Sequence, residues 1–315
     1  MSARRLTAIA PLRCPQERIL ASLRRVEHLR EFASSWQLAP PLALMLVAAT
    51  TAYLVAARSV TRRHPTQPWP VRHTAFFVSG IALIVLVTLG PVGVYDDDFF
   101  WAHMTQHIVL MMAAAPLLLL GEPVLLLLRV STRSFRQGVV IPVLRSRVMG
   151  VLTNPVVTWL IFASVLLGTH FTGFFEYALE HPLVHDYVEH PLYLGAGLLY
   201  YYPLLGASPG ATPISPFGKV ISLFLMMVPE TVVGFGIYTA GYVLYPYYAT
   251  VADRPWGPST ALLDQRLGGA FMWSAGMIFH ALWISVAAWA WMKAEEVKGR
   301  RIDAAIASGR LPAEA

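Results

Sequence analysis

Seven apolar segments, each about as long as a bilayer is thick, dominate the sequence. A membrane-spanning helix needs roughly 20 residues. Only 13% of the 315 residues are charged, against about 25% in a typical soluble domain. The sequence therefore predicts an all-α polytopic membrane protein, surrounded by the lipid bilayer, with seven transmembrane helices. The predicted spans are residues 36–57, 73–94, 99–120, 155–171, 183–205, 217–239 and 266–292.

The basic residues predict the orientation of these spans. Nine arginines lie between spans one and two and between spans three and four, and cytoplasmic loops are enriched in such residues. We therefore expect the N-terminus outside and the C-terminus in the cytoplasm. Because the basic residues flank apolar segments, no nucleic-acid partner is expected. The nine are Arg58, Arg62, Arg63, Arg72, Arg129, Arg133, Arg136, Arg145 and Arg147.

The chain divides into three parts by composition. Residues 1–35 form a basic, amphipathic N-terminal segment, 36–292 the seven-helix transmembrane domain, and 293–315 a polar cytoplasmic tail. Cys14 is the only cysteine, which excludes an internal disulfide or a CxxC motif. Any metal site must therefore use histidine, methionine or carboxylate ligands.

The start of span three carries a stripe of imidazole and thioether groups. At 100° per residue, His103, His107, Met111 and Met104 fall at about 0°, 40°, 80° and 100° around the helix. This donor set favours copper, especially Cu(I). The alternative is a methionine-rich packing seam whose histidines bond to neighbouring helices.

A second group of candidate ligands opens span five. An α-helix that starts at Pro182 would align His185, Glu189 and Tyr193, with His190 about 100° away from Glu189. The preceding His181 begins the run His181-Pro-Leu-Val-His185, which lacks the glutamate of the HExxH zinc motif. We predict His185 and His190 as the second ligand pair, and His170, His181 and Glu189 as further polar sites.

Two ionisable residues lie deep in the predicted spans, and three aspartates stand before span three. Glu230 and His280 are too deep to reach water, so they are further candidate sites and could pair with each other. Alternatively, Glu230 bonds the backbone freed by the preceding proline. Asp96, Asp97 and Asp98 would collect incoming cations, or simply belong to a solvated loop.

Several motifs appear in a characteristic order between residues 36 and 292. The motifs are His103-Met104-x-x-His107, Leu-Gly-x-Pro at 120–123, the run from His181 to His190, Tyr201-Tyr202-Pro203, and Asp264-Gln265-x-x-x-Gly-x-x-x-Met272-Trp273. Together they resemble the seven-span bacterial CtaG family of copper-linked cytochrome c oxidase assembly factors.

This resemblance implies a role in maturing the copper centres of a haem-copper oxidase. We therefore expect a non-enzymatic protein of the bacterial cytoplasmic membrane, with cytochrome c oxidase subunits and an external copper donor as partners. Two alternatives stay open. The histidines could ligate haem, or Glu230 and His280 could belong to a metal or proton transporter.

Overall fold

The protein is all-helical over the residues that its computed structural model describes. These are Glu27, 30–205, 209–210, 212–251, Arg254 and 257–308. Most of the predicted N-terminal segment and the last residues of the predicted tail therefore lie outside the described residues.

The main helices follow the apolar segments closely. Pro155–Phe171 and Pro216–Thr239 match their predicted spans within one residue, whereas the last helix runs 47 residues, well beyond position 292. In chain order they are α1 (Pro40–Arg63), α2 (Val71–Thr88), α3 (Phe100–Ile108, π-helical Val109–Ala114 and Ala115–Leu120), α4 (Pro123–Val130), α5 (Pro155–Phe171), α6 (Phe174–Glu180), α7 (Pro182–Val184, π-helical His185–Glu189 and His190–Leu205), α8 (Pro216–Thr239) and α9 (Ala261–Ala307).

Five stretches of the described chain are long and apolar enough to cross a membrane. A sixth is reached if α5 and α6, which meet at a bend of 68°, count as one broken span. Helix α7, at predicted span five, does not qualify by this criterion, so the seven-span count and the orientation stay predictions. The five are Pro40–Arg63, Val71–Val94, Phe100–Val130, Pro216–Thr239 and Ala261–Ala307.

Helix α3 occupies the centre of the bundle, with α2, α7 and α9 packed around it. Glycines allow two of these close approaches. A Cβ on Gly197 of α7 would lie 2.5 Å from the carbonyl oxygen of Met111, and one on Gly268 of α9 would lie 2.4 Å from the Phe100 ring. Both are far inside contact distance. Larger residues at these glycines would therefore push α7 and α9 away from the histidine-bearing helix.

Helix α3 ends at the predicted break. Glu122 adopts a left-handed conformation with φ of 51°, and Pro123 then starts α4, where its missing N–H costs nothing. The Tyr53 hydroxyl donates a hydrogen bond of 2.6 Å to the Gly121 carbonyl. The turn is therefore tied to α1, and the break at 121–123 is confirmed.

The orientation can be tested by cysteine labelling after Cys14 is replaced by serine. Arg133 and Gly173 are both exposed, and a Cβ at Gly173 meets no atom within 4 Å, so a cysteine fits at either place. We expect a membrane-impermeant maleimide to label Arg133→Cys only from the cytoplasmic side and Gly173→Cys only from outside. The reverse pattern would overturn the orientation derived from the basic loops.

Candidate metal centre

The histidine-bearing helix α3 starts where a carboxylate from α9 caps it. Asp264 accepts hydrogen bonds from the backbone N–H groups of Phe100, at 2.9 Å, and Trp101, at 3.2 Å. First-turn N–H groups have no acceptor within their own helix. Arg254 donates a hydrogen bond of 2.8 Å to the same carboxylate. This arrangement, the Arg254–Asp264 clamp, holds the start of α3 against α9.

Regular α-helical spacing places His103 and His107 on one face of α3. Their Nε2 atoms are 2.9 Å apart, so one ring donates a hydrogen bond and the other accepts it. Both side chains are fully or almost fully buried. Glu189 of α7 faces the pair, with one oxygen 3.5 Å from His103 Nε2 and the other 3.5 Å from His107 Nε2.

A π-helical turn brings His185 and His190 together on α7. The predicted α-helix is interrupted, because residues His185–Glu189 form a π-helix. The predicted alignment of His185 with Glu189 is nevertheless confirmed, with His185 Nε2 3.9 Å from a Glu189 oxygen. The i→i+5 hydrogen bonding of the π-helix brings residues five apart into proximity. The two imidazole rings consequently lie with centroids 4.5 Å apart. Such π-bulges often occur at functional sites.

Asp96 belongs to this cluster, beyond the cation-collecting role predicted for it. It is buried, and one of its oxygens lies 3.8 Å from His185 Nε2. Gln106 donates a hydrogen bond of 2.9 Å to Asp96 and lies 2.8 Å from His190 Nε2. Burial and the neighbouring Asp97 raise the pKa of Asp96 well above its usual range, which indicates a strongly unfavourable site for an unbalanced negative charge.

Two groups of three buried residues have ligand atoms close enough to share a metal ion. In each group the atoms lie within 4.8 Å of one another, and His185 belongs to both. The first group is Asp96, His185 and His190, and the second is His103, His185 and Glu189. These five residues, with His107, are called the histidine cluster below.

Several buried polar atoms of the histidine cluster have no hydrogen-bond partner among the described residues. They are His107 Nδ1, His185 Nε2 and both carboxylate oxygens of Glu189. An unsatisfied buried polar atom costs about 1–3 kcal/mol, and more when it is charged. A metal ion held by His103, His185 and Glu189 would satisfy the His185 and Glu189 atoms, so the donor set fits a cation.

Aromatic residues hold the imidazoles in place. Tyr193 stacks on His107 with ring centroids 3.7 Å apart. The Tyr248 hydroxyl lies 3.2 Å from His103 Nδ1 and donates a hydrogen bond of 2.9 Å to the Asp96 carbonyl. Such supporting contacts orient metal ligands and set their tautomers.

The predicted thioether ligands are found beside the histidine cluster. The sulfur of Met104 lies 3.4 Å from His170 Nε2, so Met104 contacts a histidine of α5. Met111 follows His107 by one turn, and both residues line a small cavity. His170 and Met104 could therefore bind a soft metal next to the cluster.

The other predicted residues lie apart from the histidine cluster. His181 is exposed and bonds the Tyr177 carbonyl. Asp97 is exposed and Asp98 half-buried. Partial desolvation of the carboxyl groups raises the pKa of both aspartates. The nearby charges of Asp186 and Asp98 raise the pKa of Asp97 further, and Arg254 partly offsets the rise for Asp98. They remain suited to attracting cations at the rim.

Sequence reasoning did not identify Gln106, Tyr248 or the Arg254–Asp264 clamp as parts of the site. Gln106 lies inside the motif that contains both α3 histidines, and Asp264 opens the motif in α9. Position 106 is unspecified in that motif, Asp264 is named in its motif without a role, and Tyr248 and Arg254 lie in neither motif. Glu189 was only a secondary candidate, yet it faces both α3 histidines.

Comparison with known proteins identifies the family. The family model for the cytochrome c oxidase caa3 assembly factor (Caa3_CtaG) matches residues 51–294, more than half of the chain. The chain therefore belongs to this family, and the resemblance noted from the motifs is confirmed.

Similar curated proteins occur in mycobacteria, where they are described as uncharacterized. Those of Mycobacterium bovis and Mycobacterium tuberculosis are each 27% identical over 229 residues, covering 70% of this chain and 34% of their own length. One from Mycobacterium leprae is 26% identical over 219 residues, covering 68% of this chain and 33% of its own length. The chain thus spans about a third of the length of these relatives. No solved structure matches.

Because Asp264 belongs to the Arg254–Asp264 clamp, we expect Asp264→Ala to lower the stability of the protein by an unusually large amount. This change leaves Arg254 and two helix N–H groups without their buried acceptor, which should lower the free energy of unfolding by about 3 kcal/mol or more. The matched control is Thr260→Ala, which removes an exposed cap from α9 and should cost about 1 kcal/mol. Thermal unfolding in detergent micelles measures both. Equal shifts in melting temperature would contradict the clamp.

Proposed function

We propose that this member of the caa3 oxidase assembly factor family binds copper at the histidine cluster and delivers it to a subunit of a haem-copper cytochrome c oxidase. The main support for the proposal is the environment of the Glu189 carboxylate. This carboxylate is fully buried between imidazoles, yet neither of its oxygens has a hydrogen-bond partner in the part of the chain that the structure describes. A copper ion bound there as cargo would satisfy these oxygens and balance their charge.

The ligand chemistry favours copper over harder ions. The histidine cluster offers four imidazoles, and copper binds such ligands more tightly than other divalent first-row metals do. The adjacent thioether of Met104 favours Cu(I) in particular. The Glu189 carboxylate is a harder ligand, and its contribution is mainly the negative charge that offsets the cation.

Copper has a direct approach to the histidine cluster. A cavity of about 350 Å³ is lined by His190, Asp186, Gln37 and Thr88 among others. The half-exposed carboxylate of Asp186 lies 3.7 Å from His185 Nδ1. An ion from an external copper donor would meet Asp186 first and the imidazoles next. The same opening would serve delivery to the oxidase.

The proposal describes a binding and transfer protein of the bacterial cytoplasmic membrane, not an enzyme. Haem is the alternative group that these histidines could ligate, and bound haem would give the purified protein an intense Soret absorption band. Copper in the Cu(I) state gives none.

Copper binding should depend on the α3 histidines. The double variant His103→Ala/His107→Ala removes two imidazoles, and we expect its Cu(I) affinity to fall by more than about tenfold, since even supporting residues contribute that much. The matched control is His181→Ala, an exposed histidine outside the cluster, which should bind as the wild type does. Competition with a chromogenic Cu(I) chelator measures the affinity. A double variant that keeps every wild-type Cu(I) equivalent at unchanged affinity would contradict the proposed site.

Delivery can be tested in cells that lack the protein. We expect a copper-dependent oxidase to lose its activity while total cytoplasmic copper stays near normal. Wild type and His181→Ala should restore the oxidase, and the double variant should not, because it cannot load the ion. A severalfold change in cytoplasmic copper would instead indicate transport across the membrane.

A further inference from the structure

A second group of unsatisfied buried polar atoms lies deeper in the bundle, between α8 and α9. Glu230 and His280 pair there, with His280 Nδ1 3.1 Å from a Glu230 oxygen. The same nitrogen lies 3.2 Å from the Gly276 carbonyl. Both Glu230 oxygens and His280 Nε2 nevertheless have no hydrogen-bond partner among the described residues. His280 is fully buried, and Glu230 is only 7% exposed.

The packing around Glu230 keeps its carboxylate close to α9. A Cβ added to Gly276 would lie 2.9 Å from a Glu230 oxygen, so only glycine leaves room for the carboxylate at this point. An ionised carboxylate in an apolar interior requires a counter-charge. His280 can supply it only when protonated, whereas a bound cation supplies it in either case.

A narrow cavity lies between Glu230 of this pair and His107 of the histidine cluster. His107 and Glu230 both line it, and the sulfur-bearing side chains of Met111, Met112 and Met272 lie along its wall. We call it the thioether-lined cavity. Its volume is about 20 Å³, enough for one water molecule or one bare ion.

The lining indicates which kind of ion the cavity suits. Besides the three methionines, the wall contains hydrocarbon groups such as Phe162 and Leu166. The polar residues that line it are His107, Tyr193 and Glu230. Thioethers are soft ligands that suit Cu(I) and bind hard ions poorly. The cavity therefore suits a dehydrated Cu(I) ion.

The relative depths suit a two-stage arrangement. At 1.5 Å per residue, His107 lies about 10 Å along α3 from Phe100. His280 lies about 24 Å along α9 from Asp264, which contacts that same end of α3. The pair is thus one or more helical turns deeper than the cluster.

We propose that Glu230 and His280 form a second Cu(I) site, filled from the histidine cluster through the thioether-lined cavity. The inference rests on the proposed function, because it takes copper as the cargo. It adds a second bound Cu(I) ion per chain and assigns that ion to Glu230 and His280. The ion keeps its charge and oxidation state throughout, so no electron donor is required.

The test counts Cu(I) ions bound per chain at equilibrium in lipid nanodiscs, using elemental analysis after passage over a desalting column. Wild type should hold two. His280→Ala should hold one, and so should His103→Ala/His107→Ala. The matched control is His73→Ala, whose ring bonds the Leu120 carbonyl away from both sites, and it should hold two.

X-ray absorption identifies which site is filled in each variant. The ion that remains in His103→Ala/His107→Ala should show sulfur scattering, and that scattering should weaken in the same protein carrying Met272→Leu. Copper retained by His280→Ala also demonstrates that this variant is folded.

The outcomes separate the two proposals. The second site is refuted, and the proposed function stands, if His280→Ala and Glu230→Gln each hold two ions. The same conclusion follows if wild type holds one ion and this ion is lost when His103 and His107 are replaced. If wild type holds one ion that disappears only with His280, the second site stands and the proposed function is refuted. Wild type that binds no copper refutes both.

Discussion

The cost of burying ionisable groups in an apolar bundle governs this structure. Glu189 and Asp96 are buried beside the imidazoles of the histidine cluster, and neither oxygen of Glu189 has a hydrogen-bond partner among the described residues. Each such atom costs about 1–3 kcal/mol. Rigid support must therefore hold the cluster together, and the Arg254–Asp264 clamp, the glycine contacts of α3 and the aromatic rings around the imidazoles provide it.

Local sequence patterns predicted the helices and the proximity of residues that lie one helical turn apart. The apolar segments indicated the helices and the membrane class, because burial in lipid requires long uninterrupted apolar runs. The i, i+4 spacing placed His103 and His107 side by side. The depth of Glu230 and His280 suggested that they pair, and the structure confirms this contact at 3.1 Å.

The remainder of the site depends on features that local periodicity does not contain. Nothing in the residues 185–189 distinguishes a π-helical turn from an α-helical one, yet that turn decides where His190 points. The contact between Asp264 and the start of α3 joins residues 164 positions apart. Glu189 became central only through the rotation of α7 against α3, which tertiary packing sets.

The length of α9 has a mechanical consequence. Its 47 residues extend about 70 Å at 1.5 Å per residue, more than twice the roughly 30 Å hydrocarbon core of a bilayer. One end holds Asp264, the middle holds His280, and the other end is a polar stretch beyond Lys293 with intrahelical ion pairs such as Arg300–Glu296. One unbroken helix thus carries both this polar end and the carboxylate that caps α3, so a change in the tilt of α9 also changes the position of Asp264 against Phe100.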